Sequence, residues 1–454
     1  MEEGRGKGEK KRPPGARARG ASLSLNLLPP RSPSRPSPTV FVRVRPAHAG
    51  DGRYFVAVPR GTNASRYNPS HHHGDAMPAG AGGGFLAPGG LPPDAAAFTA
   101  YLRAIDAGFT GEYAAWAAEH GPPALAPAPP SPPREATEAP IPRSGAGAGE
   151  VEATIANASP SASGRSTQLA PSPAGGAPGA PAFSGVEALL SALEGMGVGN
   201  ARIEVEPGAA AAGVVVRSTA RDDDTARSEL EMPALDGSAL GWAVEVARAG
   251  VVPAPPRPDA AGGAPPPKTV PAGSRALTLT GPDGAFASYI PAPRPSLSVG
   301  VGAPPDVPAI GRQWLAWAPS TECGHYRWAL APARDWVVSA RTLVALHATG
   351  AAYKAGTVGT TLVAAGAAWM EPGKVRFPGD EPARHEAAKA VGDLSLLATG
   401  GGLGLPLGHF VAWNASPALR LDLVRALAAE ATAVEVMAAA RAALEGGGGA
   451  GGEE

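Results

Sequence analysis

One cysteine, Cys323, and nine histidines limit the chemistry open to this chain of 454 residues. A lone thiol forms neither an internal disulfide nor a thiolate zinc cluster, so any bound metal must rest on imidazoles and carboxylates. One helical pattern carries His385 and Glu386, with Lys389 and then Asp393 at successive helical turns. Spacings of four place His385, Lys389 and Asp393 on one face of a helix. Glu187 stands at the start of another helical pattern, where a carboxylate complements the macrodipole. The remaining histidines are dispersed. His71, His72 and His73 lie in a Gly/Pro-rich stretch without helical spacing, His325 and His347 stand alone, and His409 sits in a strand-like run. A single helical imidazole is ordinarily hydrogen-bonded or solvated, so His385 alone does not make a metal site.

The elements that must position these groups occupy only part of the chain. Glycine (61) and proline (52) together reach about a quarter of the residues, the level at which aperiodic sequence reads as low complexity. Aromatics are only 5%, so apolar burial concentrates in a few segments. Residues 1–38 read as a basic tail, residues 60–150 as an insertion, and 253–274 as a proline-rich linker. Residues 446–454 form a Gly-rich tail. Within the insertion, Phe98, Tyr101, Leu102, Ile105, Tyr113 and Trp116 recur at near-helical spacing over 94–120, either as a satellite helix or as a partner-binding one.

Alternating runs predict strands at 39–45 and 53–58, joined as a hairpin across Gly50-Asp51-Gly52. Further strands are expected at 151–155, 201–206, 213–217, 275–280, 285–290, 296–301 and 409–413. Helices are expected at 184–194 with Ser184 as N-cap, then at 238–249, 332–348, 380–398 and 417–444. Strands followed by helices, twice, is an α+β pattern of two similar halves, 39–252 and 275–445. Asp236 and Gly237 read as a tight turn before the second of these helices. A net charge of -1 with 17% charged residues gives no broad basic field for nucleic acid or membrane, and no apolar run is long enough to span a bilayer.

Five collinear runs resemble the zinc-dependent UDP-3-O-acyl-N-acetylglucosamine deacetylases of lipid A biosynthesis, in their plant and algal form. They are 42–56, 185–206, Pro233-Ala-Leu-Asp-Gly-Ser-Ala-Leu-Gly-Trp242, Val307-Pro-Ala-Ile-Gly-Arg-Gln-Trp314, and Val375-Arg-Phe-Pro-Gly-Asp-Glu-Pro-Ala-Arg-His385 continued by Val391-Gly-Asp-Leu-Ser-Leu-Leu397. The resemblance implies two domains, each a small sheet with helices packed on one face, and an active-site cleft between them. The implied reaction is hydrolysis of the 2-acetamido group of a UDP-3-O-acyl-glucosamine-type nucleotide sugar. It needs Zn²⁺ on three N/O ligands with one open position, a carboxylate base and a cationic acid.

Carried over position by position, the resemblance assigns the base to Glu187, a residue near the reacting carbonyl to Thr342, and the carboxylate that orients the acid to Asp393. His385 is one metal ligand. The family's Val-Glu-His stands here as Val186-Glu187-Ala188, so the first ligand position is a methyl group. The family's His-Lys-x-x-Asp stands as His385-Glu-Ala-Ala-Lys389, so the third ligand is a cation, which a metal ion repels. The acid histidine of Lys-Ser/Ala-Gly-His falls at Pro417 in Asn414-Ala-Ser-Pro417. Two readings therefore stand: a zinc deacetylase of this family, or an inactive member that binds a ligand through the old cleft or a protein through 94–120. The basic, serine-bearing N-terminus reads equally as an organelle transit segment, mitochondrial or plastid by analogy with plant relatives, or as a plain tail of a cytoplasmic protein.

Overall fold

The computed structural model describes residues 40–45, 47–59, 150–161, 163–171, 181–207, 229–249, 251, 254, 275–319, 325–348, 360–372, 375–398 and 402–446. The triple histidine, the 94–120 segment, the 213–217 run, Cys323 and the proline-rich 255–274 stretch lie outside them. The fold is α+β, with several small sheets and few helices.

Alternation of Val and Arg in β1 (Val40–Arg45) sends Val42 and Val44 into the core and Arg43 and Arg45 to the opposite face. β2 (Arg53–Ala57) follows, then β3 (Glu150–Glu152), β4 (Ala158–Pro160), β5 (Thr167–Leu169) and β6 (Ala182–Ser184). Helix α1 (Glu187–Gly195) leads to β7 (Ala201–Pro207), β8 (Glu229–Glu231) and helix α2 (Leu240–Ala249). These strands build two sheets, β1-β7-β2-β3 and β4-β5-β6-β8.

The expected hairpin of β1 and β2 is corrected here, because β7 lies between them, antiparallel to β1 and parallel to β2. The reason is electrostatic as well as apolar. Ile203 and Val205 of β7 join the core, while its alternate residues Glu204 and Glu206 lie in register with Arg43 and Phe41, and Arg45 reaches Glu204 at 3.4 Å. Ser184 is also not a cap. It pairs with Gln168 as the last residue of β6, and α1 starts after Val186 with no side-chain cap.

From residue 275 onward come β9 (Leu277–Thr280), β10 (Phe286–Pro291), β11 (Ser296–Gly302) and β12 (Arg312–Trp317), then α3 (His325–Ala329), β13 (Asp335–Val337) and α4 (Ala340–Ala348). The expected single helix over 332–348 is thus a strand and a shorter helix. Residues 335–337 pair in parallel with β14 (Thr361–Ala365), and the Ser339 hydroxyl accepts from the Thr342 amide at 3.1 Å to start α4. β15 (Ala368–Trp369), α5 (Glu381–Leu394), β16 (Gly408–Trp413) and α6 (Pro417–Gly446) complete the order. The strands form sheets β12-β11-β16-β10-β9 and β13-β14-β15, with β11 and β16 parallel.

Strands before residue 253 and after residue 274 share no sheet, yet one apolar core contains residues of both stretches, from Phe55, Phe183 and Leu190 to Val391, Phe410 and Leu421. Helices α1 and α5 cross at its centre. Small residues on α5 permit the approach: Ala387 and Ala388 are buried, and a side chain at Gly392 would collide with the carbonyl oxygen of Glu187. That crossing carries Glu187 to Asp393 and Lys389. Among the described residues no helix is long and apolar enough to cross a membrane.

Candidate active site

A cavity of about 370 Å³ opens where the loop before β5 meets the ends of β11, β13 and β16 and the start of α6. Thr342, Lys389 and Pro417 line it, together with Arg165, Asp335, Glu386 and Arg420. Glu187 and Asp393 are buried immediately behind. His385 and Ala188 are not in its wall. The structure thus gathers three of the sequence-derived positions at a cavity and two more in the charged layer beneath.

That layer is a continuous chain of hydrogen bonds. The Thr167 amide donates to Glu187 Oε1 at 2.7 Å, and the Thr167 hydroxyl to Asp393 Oδ1 at 2.6 Å. Arg420 Nε donates to Asp393 Oδ2 at 2.6 Å, while its Nη1 reaches Glu386 Oε2 at 2.9 Å and the Ala415 carbonyl at 2.7 Å. Lys389 Nζ donates to the Arg165 carbonyl at 2.9 Å. Thr342 is spoken for by its own turn, its hydroxyl 3.0 Å from that of Ser339.

Burial pushes the Glu187 carboxyl up to about 7; the nearby Lys389 charge works against this and the Asp393 charge with it. Glu386 goes the other way. Burial alone would raise it, but the Lys389, Arg420 and His385 charges bring it down to about 2. Arg420 is disfavoured by burial, yet Asp393 and Glu386 hold it more firmly charged than a free guanidinium. The His385 ring hydrogen-bonds outside this layer. Its Nδ1 lies 3.1 Å from the Ala333 carbonyl, which can only accept, so Nδ1 carries a proton, and its Nε2 is 3.7 Å from Asp335 Oδ1.

A family profile described as LpxC: UDP-3-O-acyl N-acetylglycosamine deacetylase matches residues 141–429. The chain belongs to this deacetylase family. Among its relatives is the Arabidopsis thaliana protein named probable UDP-3-O-acyl-N-acetylglucosamine deacetylase 1, mitochondrial, 34% identical over 248 residues, which are 53% of this chain and 67% of the relative. The UDP-3-O-acyl-N-acetylglucosamine deacetylase of Nostoc sp. is 32% identical over 250 residues, 54% and 72% of the two chains. That of Synechocystis sp. is 31% identical over 258 residues, 56% and 75%.

Deacetylases of this family depend on a metal, and the donor set here does not fit one. At the positions that the sequence resemblance assigns to the metal, Ala188 offers a methyl group, Lys389 an ammonium with no lone pair, and His385 a ring engaged with Ala333 and Asp335. Among the described residues no three His, Cys, Asp or Glu side chains group so as to hold a metal ion. Arg420 and Thr167 escaped the sequence reading. Arg420 had a faint signal, lying about one helical turn after Pro417, which the resemblance assigns to the acid; Thr167 sits in a three-residue strand that carries no periodicity.

Proposed function

We propose that this deacetylase-family chain holds a nucleotide-sugar-type ligand, of the UDP-3-O-acyl-glucosamine kind, in its cleft without hydrolysing it. The observation that carries the reading is Lys389. Its ammonium lies in the cavity wall, at a position that the resemblance assigns to a metal ligand, where it would repel a metal ion and cannot coordinate one. Exchanging a carboxylate for an ammonium adds the same charge that a divalent cation would have brought. The field over Glu187 and Asp393 is thereby balanced by side chains alone, with Arg420 taking the place beside Asp393 that the family gives to its acid histidine. Glu187 has the chemistry of a base, but with no activated water to serve it, and Pro417 has no proton to give. Loss of an acid-base partner alone costs roughly 10²- to 10⁴-fold in rate.

In this reading the chain has two domains, about 39–252 and 275–445, with the cleft between them. The mixed lining of the cavity, Gly164 and Arg165 from the first and the other residues from the second, favours this division. Relatives named mitochondrial in Arabidopsis favour an organelle as the place of action, mitochondrion or plastid.

Zinc content of the metal-equilibrated protein, measured by elemental mass spectrometry beside a deacetylase assay on the UDP-sugar, tests the proposal. No bound zinc, no turnover and measurable binding of the intact sugar are expected. Stoichiometric zinc that is lost on His385→Ala, with release of acetate, would overturn it. The paired substitutions Ala188→His and Lys389→Asp should create zinc binding where the native chain has none.

A further inference from the structure

We infer that the face of the β1-β7-β2-β3 sheet turned away from the core is the docking surface of this chain's own 94–120 segment, which lies outside the described residues. The inference does not depend on the non-hydrolytic reading. Side chains of a strand alternate between its two faces. Val42, Val44, Phe55, Ile203 and Val205 point into the core shared with α1, so Arg43, Arg45, Tyr54, Val56, Arg202 and Glu204 point the other way. An antiparallel-type sheet packed on one face ordinarily turns the other to water. This face is dry: Tyr54 is 0% exposed, Glu206 1% and Arg43 2%. Its apolar cluster, Ala47, Tyr54, Val56 and Val58, draws no member from any described residue outside 47–58. Arg202 pairs with Glu150 and Glu204 and lies over the Tyr54 ring at 5.9 Å, all within the sheet. Charged side chains buried this completely need a covering layer.

The connection between β2 and β3 points to the occupant. These strands are antiparallel neighbours, with Phe55 paired to Val151, and a hairpin between such strands uses about 2–5 residues, yet residues 58–149 join them. An insertion pinned at both ends to this sheet has an effective concentration on it far above that of a separate molecule. Within the insertion, the stripe that includes Phe98, Tyr101, Tyr113 and Trp116 suits a face where Tyr54, Val56 and Val58 are bordered by arginines, since guanidinium planes stack on aromatic rings. The N-terminal tail also abuts this sheet. Residues 1–38, however, hold no aromatic side chain and bring further lysines and arginines beside Arg43 and Arg45. Docked on this face, 94–120 makes a further layer of the fold and is not available to a partner protein.

Hydrogen exchange of the full native chain, read by mass spectrometry at two protein concentrations, tests the inference together with iodoacetamide alkylation of the Val56→Cys variant. Peptides within 98–116 should exchange roughly tenfold or more slowly than those within 121–149, equally at both concentrations. The thiol introduced by Val56→Cys should react slowly in the full chain, and roughly tenfold or more faster once Tyr101→Asp and Ile105→Asp are added. Ala100→Asp and Ala107→Asp, which lie off the stripe, should leave its rate unchanged. Fast exchange throughout 98–116 of the native chain would overturn the inference whether or not the variants fold. So would a thiol that reacts freely in the full chain, or one whose protection survives the stripe substitutions. Protection that appears only at the higher concentration would place a second copy on the face and overturn the choice of occupant.

Discussion

Substituting Arg420 by methionine removes the cation that ties α6 to α5 while keeping most of the side-chain volume. Arg420 is buried, its side chain 3% exposed, and it bonds Asp393, itself 1% exposed, at 2.6 Å. Breaking a buried pair from one side typically costs about 3–5 kcal/mol, because the survivor is left charged and dry. Asp393 would keep one charge-assisted bond, from the Thr167 hydroxyl. Glu386, at 20% exposed, can rehydrate. Both facts place the expected loss near the lower end, about 3 kcal/mol. Urea unfolding followed by circular dichroism at pH 7.5 measures it, with Asp393→Asn and the double variant completing a cycle. The double variant should lose less than the sum of the singles, since neither charge is then stranded. Glu386 sharpens the test. A carboxyl held at about 2 in the fold contributes stability that is present above its unfolded value of 4.5 and is lost as pH falls from there towards 2. The penalty of Arg420→Met should therefore shrink in that acid window. A loss below about 1 kcal/mol at pH 7.5, or strict additivity in the cycle, would refute the idea that Arg420 has replaced the acid histidine as Asp393's partner.

Glu187→Gln should abolish a pH dependence of the opposite sign. Because burial raises its carboxyl to about 7, the native chain should be more stable at pH 5 than at pH 8, losing about 3 kcal/mol as pH rises from 4.5 through 7, and the variant should be flatter. Unfolding curves at the two pH values decide it, equal slopes for both proteins being the contrary result. Gly392→Ala should destabilise by about 1–3 kcal/mol, since the new methyl meets the Glu187 carbonyl at the crossing of α1 and α5; an unchanged melting temperature would show that the helices can part. Gly300→Ala should disturb the stacked pair Trp314 and Trp413, whose rings lie 5.2 Å apart over that glycine, and shift tryptophan emission to the red; an unshifted spectrum would show the indoles unmoved.

Local periodicity in the sequence determined much of this protein: the strands near 40, 53, 201, 286, 296 and 409, and helices α1, α2, α5 and α6. The family resemblance, rather than periodicity, points to Ala188, Lys389 and Pro417 as the positions where a methyl group, an ammonium and a proline stand. Those features are visible in sequence because they repeat at 2 or 3.6 residues, or because neighbours in a motif are neighbours in the chain. The tertiary structure alone decided that β7 enters between β1 and β2, since strand order depends on complementary faces meeting across more than a hundred residues. It alone also decided what neutralises the charged layer. Thr167 reaches Asp393 across 226 residues from a strand too short to have a period, and Arg420 reaches it from another helix. Pairing of this kind follows from how α1, α5 and α6 pack, and packing is a property of surfaces brought together rather than of any one segment.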